Sequence, residues 1–250
     1  MTETYPLALS FPAYRACFDA DFARLRLLAP GALDSPVPAC PGWTGADVVR
    51  HVAQVYLHKA KSIRTGVMPG ADWPPAWLRE RPAVDVLDNC HDQLVAQFDA
   101  HDPRDPAATW WPADQTVGFW LRRMAHETAV HRHDVESAVG RAGPVRPDLA
   151  VDGIDEVLAL MLAGDWADEV VGSASGAVVA VESAGHRWSV TLNPADVTLE
   201  RDSRAEAAAT VSGAPGTTLL WLWGRGPLPA GTGDPDAVAE LRARLVLATQ

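Results

Sequence analysis

The sequence predicts a mixed fold: a four-helix bundle over residues 1–145, followed by a smaller α+β domain over residues 146–250. Three observations predict it. Up to about residue 140 the apolar residues recur at helical spacing, and beyond about residue 175 they sit in short β-rich runs. Between the two lies a Gly/Pro-rich segment, residues 140–147 (GRAGPVRP), which reads as a linker. Four amphipathic helices with capped or proline-marked ends are the pattern of a bundle.

The first helix is predicted over residues 12–28, because Tyr14, Cys17, Phe18, Phe22, Leu25 and Leu28 share one face and Pro12 suits a first turn. A proline-rich connector covers residues 30–43. Thr44, with Asp47 three residues on, reads as the capping box of a second helix with the stripe Val48, Val49, Val52, Val55 and Tyr56, ending near Gly66. Residues 67–83 hold four prolines together with Trp73 and Trp77 and read as a loop. The third helix is predicted over residues 84–100, with Val84, Leu87, His91, Leu94, Val95 and Phe98 inward. After a loop with Trp110, Trp111 and Pro112, the fourth covers residues 116–139 and buries Val117, Trp120, Leu121, Met124, Val135 and Ala138. Residues 148–162 read as one more helix. Residues 177–183 and 187–192 form β-rich runs around an Ala-Gly turn, a hairpin signal. Further strands are expected over residues 196–200 and 207–212, and helices over 215–223 and 235–247, the last capped by Asp234.

Composition excludes several classes of function. Twenty-one basic residues against 32 acidic ones, with no basic run, leave no positive face to displace counterions from a nucleic acid. No apolar stretch is long enough to span a bilayer. The start MTETYPLALSFPAY has no basic segment ahead of an apolar one, which predicts a cytoplasmic protein without a secretory signal. Cys17, Cys40 and Cys90 are odd in number with no CxxC, so reduced thiols are expected.

Residues 126–134 (HETAVHRHD) carry three histidines and two carboxylates. At about 100° per residue, Glu127 and His131 fall within about 60° of the centre of the apolar stripe, whereas His126 and His133 fall on the opposite face, where solvent is expected. Glu127 and His131 are one turn apart and converge. A carboxylate aimed at a core is costly unless it is paired or bound to a metal. The two residues therefore read either as a hydrogen-bonded pair or as two ligands of a metal ion. A third ligand would come from a neighbouring helix: His51 at the edge of the second stripe, or His91 on the third, each of which could equally be an ordinary core histidine. Two histidines and one glutamate make the ligand set of a catalytic zinc site with an open fourth position. The same set also holds Fe(II) in oxygenases.

Cys40-Pro-Gly-Trp-Thr44, followed by Asp47 and Val48-Val-Arg-His-Val52, resembles the opening of the second helix in the mycothiol-dependent maleylpyruvate isomerase family. Glu127-Thr-Ala-Val-His-Arg-His-Asp134 is similar to that family's second motif. Ala195-Asp-Val-Thr-Leu-Glu200 and Leu219-Leu-Trp-Leu-Trp-Gly-Arg225 resemble its carboxy-terminal domain, so the resemblance spans nearly the whole chain in order. It implies a DinB-like four-helix metal-binding bundle followed by a sterol-carrier-protein-like α+β domain. It also implies zinc on the residues matching His51, Glu127 and His131, with mycothiol as thiol cofactor and a small-molecule electrophile as substrate. His91 has no ligand role in that pattern and stands as a candidate for lining the cofactor pocket. Arg225 is the candidate for contacting an anionic substrate or the cofactor; the alternative is a charge favoured by a helix C-terminus.

A zinc-coordinated thiol is deprotonated. Adding to an activated cis alkene, it would permit rotation and leave the trans isomer on expulsion. Departure of a leaving group would make the protein a thiol transferase instead, and a metal-binding sensor or carrier without turnover is the third reading. Trp73, Trp77, Trp110 and Trp111 either roof the pocket or cover core. Cys40 is not expected to be a nucleophile, since no cationic partner is visible and the implied thiol comes from outside.

Overall fold

A computed structural model describes residues 5–164 and 174–249. The chain divides into two compact units, Ser10–Pro144 and Met1–Leu9 with Val145–Gln250.

The first unit is helical: α1 (Phe11–Ala32), α2 (Gly45–Thr65), a single turn α3 (Trp77–Glu80), α4 (Ala83–Ala100) and α5 (Val117–Ala138). Side-chain caps start three of the long helices, from Ser10, Thr44 and Thr116. Gly66, at φ +67°, closes α2 in the left-handed conformation that favours glycine. Two boundaries differ from the sequence reading. α1 runs through Pro30 rather than stopping at residue 28, because the fully buried Ala29 and Ala32 hold its last turn while Pro30 faces outward. α3 lies inside the stretch read as a loop, with Leu78 buried and its carbonyl accepting from Arg50 Nη1 at 2.6 Å. The stripe of α4 is also rotated slightly: Val86 and Cys90 are buried, and Val84, His91 and Val95 only half so.

α1 and α2 both pack against α5, and α2 also packs on α4. Every residue of α5 from Val117 to Arg132 is consequently buried. This overturns the expected solvent face. His126 is 1% exposed and lies edge-on to Tyr14 of α1, with ring centroids 6.1 Å apart, and His133 is half-buried. A helical wheel locates one apolar stripe and cannot reveal that a second neighbour covers the other side. The charged groups on that side are matched instead of solvated. Arg132 Nε lies 2.7 Å from Asp21 of α1, and Arg24 Nε donates to Glu136 Oε1 at 2.8 Å.

The second unit opens with α6 (Pro147–Glu156), which continues into a π-helical stretch over Val157–Leu162. Five strands follow: β1 (Val178–Ser183), β2 (His186–Leu192), β3 (Val197–Arg201), β4 (Ala209–Ser212) and β5 (Ala230–Gly233), with α7 (Pro215–Leu222) before β5 and α8 (Pro235–Ala248) after it. The sheet order is β3-β2-β1-β4-β5, parallel only between β1 and β4. Ala184 and Gly185, at φ 51° and 84°, make the β1–β2 turn with the positive φ values that hairpins favour. β5 is absent from the sequence reading, because Ala-Gly-Thr-Gly lacks the β-branched and aromatic residues that mark a strand. Backbone pairing with β4 defines it. Val179, Val181, Trp188, Val190 and Val211 on the sheet, with Leu219, Leu222, Leu241 and Leu245 on α7 and α8, are fully or almost fully buried. The buried Asp155 accepts from Trp188 Nε1 at 2.9 Å and from Arg201 Nε at 2.5 Å, so its charge is paired. Among the described residues no helix is long and apolar enough to cross a membrane.

Candidate metal centre

Local chemistry sets the two helices that carry the site. At the start of α2, Asp47 Oδ2 accepts from the Thr44 backbone N–H at 2.8 Å while Thr44 Oγ1 accepts from Asp47 N at 3.4 Å, a reciprocal capping box. That fixes the start of the helix, and His51 follows nearly two turns in. Tyr56 and Thr128, both fully buried, share a hydroxyl hydrogen bond of 2.6 Å between α2 and α5. This bond locks the register in which His51 faces Glu127.

Three side chains converge there. Glu127 Oε1 lies 3.2 Å from His51 Nε2 and 3.2 Å from His131 Nε2. One ligand atom from each residue lies within 4.8 Å of the others. His51 is the most accessible, with its side chain 36% exposed, against 9% for Glu127 and 11% for His131. Glu127 Oε2 and His131 Nδ1 have partners of their own. Arg123, one turn before Glu127, donates to Glu127 Oε2, leaving Oε1 to face the histidines. Asp134 Oδ2 lies 2.9 Å from His131 Nδ1, which directs Nε2 toward the centre. Cys40 Sγ is in turn 3.9 Å from the same Asp134 oxygen, and the Trp43 ring lies 5.5 Å from that of His51.

Electrostatics follow from these contacts. Burial by itself would raise the Glu127 pKa, but the Arg123 and His131 charges overcome it and hold the carboxyl well below its usual range. Burial by itself would lower that of His131, but Glu127 and Asp134 reverse the direction and push it up to about 9. The constellation also fits zinc. Tetrahedral ligands at about 2.0–2.1 Å from a zinc ion stand roughly 3.4 Å apart, close to the two Glu–His separations here. An imidazole oriented by a carboxylate through its other nitrogen is likewise a recurrent zinc-site arrangement.

The other candidate residues lie elsewhere. The His91 ring stacks on Phe22 with centroids 3.4 Å apart, and it is outside the three-residue cluster. Burial lowers its pKa. Trp73 meets His58, Trp77 lies under Arg81, and Trp110 contacts Trp111 and Phe119. It is Trp43, in the connector before α2, that meets a cluster residue. Arg225 belongs to the second unit, just beyond α7, where Nη1 donates to the Trp223 carbonyl at 2.6 Å. None of Cys17, Cys40 and Cys90 forms a disulfide among the described residues. The sequence reading left out the parts played by Arg123 and Asp134, although both stand at helical spacing from a ligand, four residues before Glu127 and three after His131.

The sequence profile described as the mycothiol maleylpyruvate isomerase N-terminal domain matches residues 14–136, and that of the corresponding C-terminal domain matches residues 148–241. No curated protein matches the chain. Among solved structures, that of a mycothiol-dependent maleylpyruvate isomerase is 15% identical, covering 90% of this chain and 95% of the other at a TM-score of 0.59. A histidine-to-alanine mutant of such an isomerase is 13% identical, covering 89% and 97% at a TM-score of 0.56. At these identities the likeness is one of fold.

Proposed function

The chain belongs to the mycothiol-dependent maleylpyruvate isomerase family, and from that premise we propose that it is a zinc-dependent enzyme using mycothiol on a small electrophilic acid, with cis–trans isomerisation as its reaction. The observation that carries the reading is the convergence of His51, Glu127 and His131. These three would hold the metal. When bound, zinc would supply ionisation of the mycothiol thiol, whose reversible addition to a cis-enoic acid turns the double bond into a single bond free to rotate.

The protein's own residues have distinct tasks. Asp134 keeps His131 in the tautomer that presents Nε2. Arg123 occupies the outer oxygen of Glu127 and so holds the carboxylate in one orientation. His91 serves as a wall of the pocket, as a neutral ring and not as a ligand. Arg225 is the candidate guanidinium for an anionic group of the substrate or the cofactor.

Calorimetric titration of the zinc-loaded chain with mycothiol tests this reading. Binding is expected in the wild type and should vanish in Glu127→Ala. Absence of binding in the wild type, or binding unchanged without metal, would reject the thiol role. Turnover assays with a cis-enoic acid and with an electrophile bearing a leaving group then separate an isomerase from a thiol transferase, and turnover of neither would leave a metal-binding carrier.

A further inference from the structure

Arg15, Arg24, Arg26, Arg123 and Arg132 of the first unit each meet a carboxylate. Lys59, on α2, is held differently. Its ammonium lies 4.7 Å from the centre of the Trp120 ring and 3.4 Å from His58 Nδ1, and among the described residues no carboxylate lies within ion-pair distance of it. Neither neighbour supplies a negative charge. Burial holds the His58 imidazole down to about 4, so at neutral pH it is an uncharged acceptor. The Trp120 ring attracts a cation only through its quadrupole. That ring is fully buried and its Nε1 donates to the Ala108 carbonyl at 2.9 Å, so the platform under Lys59 is fixed.

The ammonium stands beside the metal cluster. His51, Val55 and Lys59 lie on successive turns of one side of α2, and all three are partly exposed. Across from them α5 carries Trp120, Arg123 and Glu127 in buried positions. Two contacts tie the helices together here, His51 to Glu127 and Lys59 to Trp120. At about 1.5 Å per residue these rungs are roughly 11 Å apart along the helices. A helical side chain leans toward the N-terminus of its helix, so the Lys59 stem leans back toward the His51 rung. Burial lowers its pKa to about 8, with Glu127 attracting the charge and Arg123 repelling it, and the ammonium therefore predominates at neutral pH. Arg123 is already matched by Glu127, so the positive charge left for an incoming anion is that of Lys59. A side chain that only covered Trp120 could be apolar, without the cost of desolvating a charge.

We propose that Lys59 binds a carboxylate of the substrate in the groove between α2 and α5, on the Arg123 side of the His51–Glu127–His131 cluster. All of these residues belong to the first unit. An ammonium is a compact point charge with three donors on a flexible stem, so it can keep its place over Trp120 and still turn toward an anion. The inference rests on the proposed reading of the substrate as an electrophilic acid, and it adds where the charge of that acid is received.

The test uses the full, zinc-loaded chain with maleate as the probe, in the absence of thiol. Lys59→Met keeps an apolar stem over Trp120 and should weaken maleate binding about tenfold or more in calorimetry, whereas Lys59→Arg should restore most of the affinity. Zinc content should be unchanged in both variants. A second measurement needs no substitution. Lys59 and Lys61 are the only lysines of the chain, and reductive methylation with carbon-13 formaldehyde, which keeps their charge, gives each a resolvable methyl signal. Maleate should move the Lys59 signal and leave in place that of Lys61, which lies over Trp73. Maleate affinity unchanged in Lys59→Met, equal losses in Lys59→Met and Lys59→Arg, loss of zinc from Lys59→Met, a Lys59 signal indifferent to maleate, or no binding of maleate to the wild type would each overturn the assignment. Failure of mycothiol to bind the wild type is a separate result, which strikes the proposed activity and leaves the Lys59 measurements standing.

Discussion

Charged side chains in the two units are held in different ways. In the helical unit, Glu127, His131, Arg123 and Asp134 stand on successive turns of one buried helix, and each meets another of the set at hydrogen-bond range. In the second unit, Arg225 and Arg242 rest on the backbone carbonyls of a loop and a helix end. A network of buried partners is rigid and fails as a whole when one member is lost, because the remaining charges stay buried and unpaired. The first arrangement suits a fixed ion.

The sharpest way to break this contrast is to remove a ligand. His131→Ala should take metal content after dialysis from about one ion per chain to nearly none, whereas His133→Ala should retain it. Equal loss in the two variants would show that the network does not define the site.

Proton linkage gives the next largest effect. Because the His131 pKa in the folded, metal-free protein is raised to about 9 from 6.5, its contribution to stability is complete below 6.5 and fades as pH rises through about 9. Metal must displace that proton, so zinc affinity should rise about tenfold per pH unit between about 7 and 9. Titrations in buffers of different ionisation enthalpy should show proton release over that range. A flat profile would mean that the Glu127 and Asp134 carboxylates do not set the imidazole's charge.

Two smaller changes sharpen the separation of the units. Arg201→Met leaves the fully buried Asp155 carboxylate with the Trp188 donor. It should destabilise the protein by about 3 kcal/mol in chemical unfolding without altering metal content. Asp134→Asn keeps the size of the side chain but weakens the orientation of His131, and metal affinity should fall about 10–100-fold. The smallest effect is expected from Thr44→Ala, which removes half of the capping box of α2 at about 1 kcal/mol, read as a shift in the unfolding midpoint.

Much of this architecture is legible in the sequence because its signals are local. The capping box at Thr44 and Asp47, the closing Gly66, and the Ala-Gly hairpin turn depend on residues a few positions apart, and the structure places them where the pattern does. The Glu127–His131 pair is of the same kind. Missed features share the opposite property. Nothing near His126 announces that Tyr14 covers it, and nothing in Ala-Gly-Thr-Gly announces β5 before β4 is beside it. Arg242 is seventeen residues beyond Arg225 in a helix whose pattern is ordinary; only the folded unit sets both on the end of α7.

By itself, then, the sequence determined the four long helices of the first unit, the change from helical to strand period along the chain, and the one-turn spacing that aims a carboxylate and an imidazole at a common point. A single helical turn or hairpin closes its hydrogen bonds within a few residues, so local residue types suffice to specify it. The tertiary structure decided that His51, and not His91, joins Glu127 and His131, because that choice depends on the rotation and register of α2 against α5. Those are set by many small packing contacts and by the buried Tyr56–Thr128 bond acting together. It also decided that both sides of α5 are covered. Burial is a property of what lies alongside a helix, and neighbours distant in the chain are supplied only by the fold.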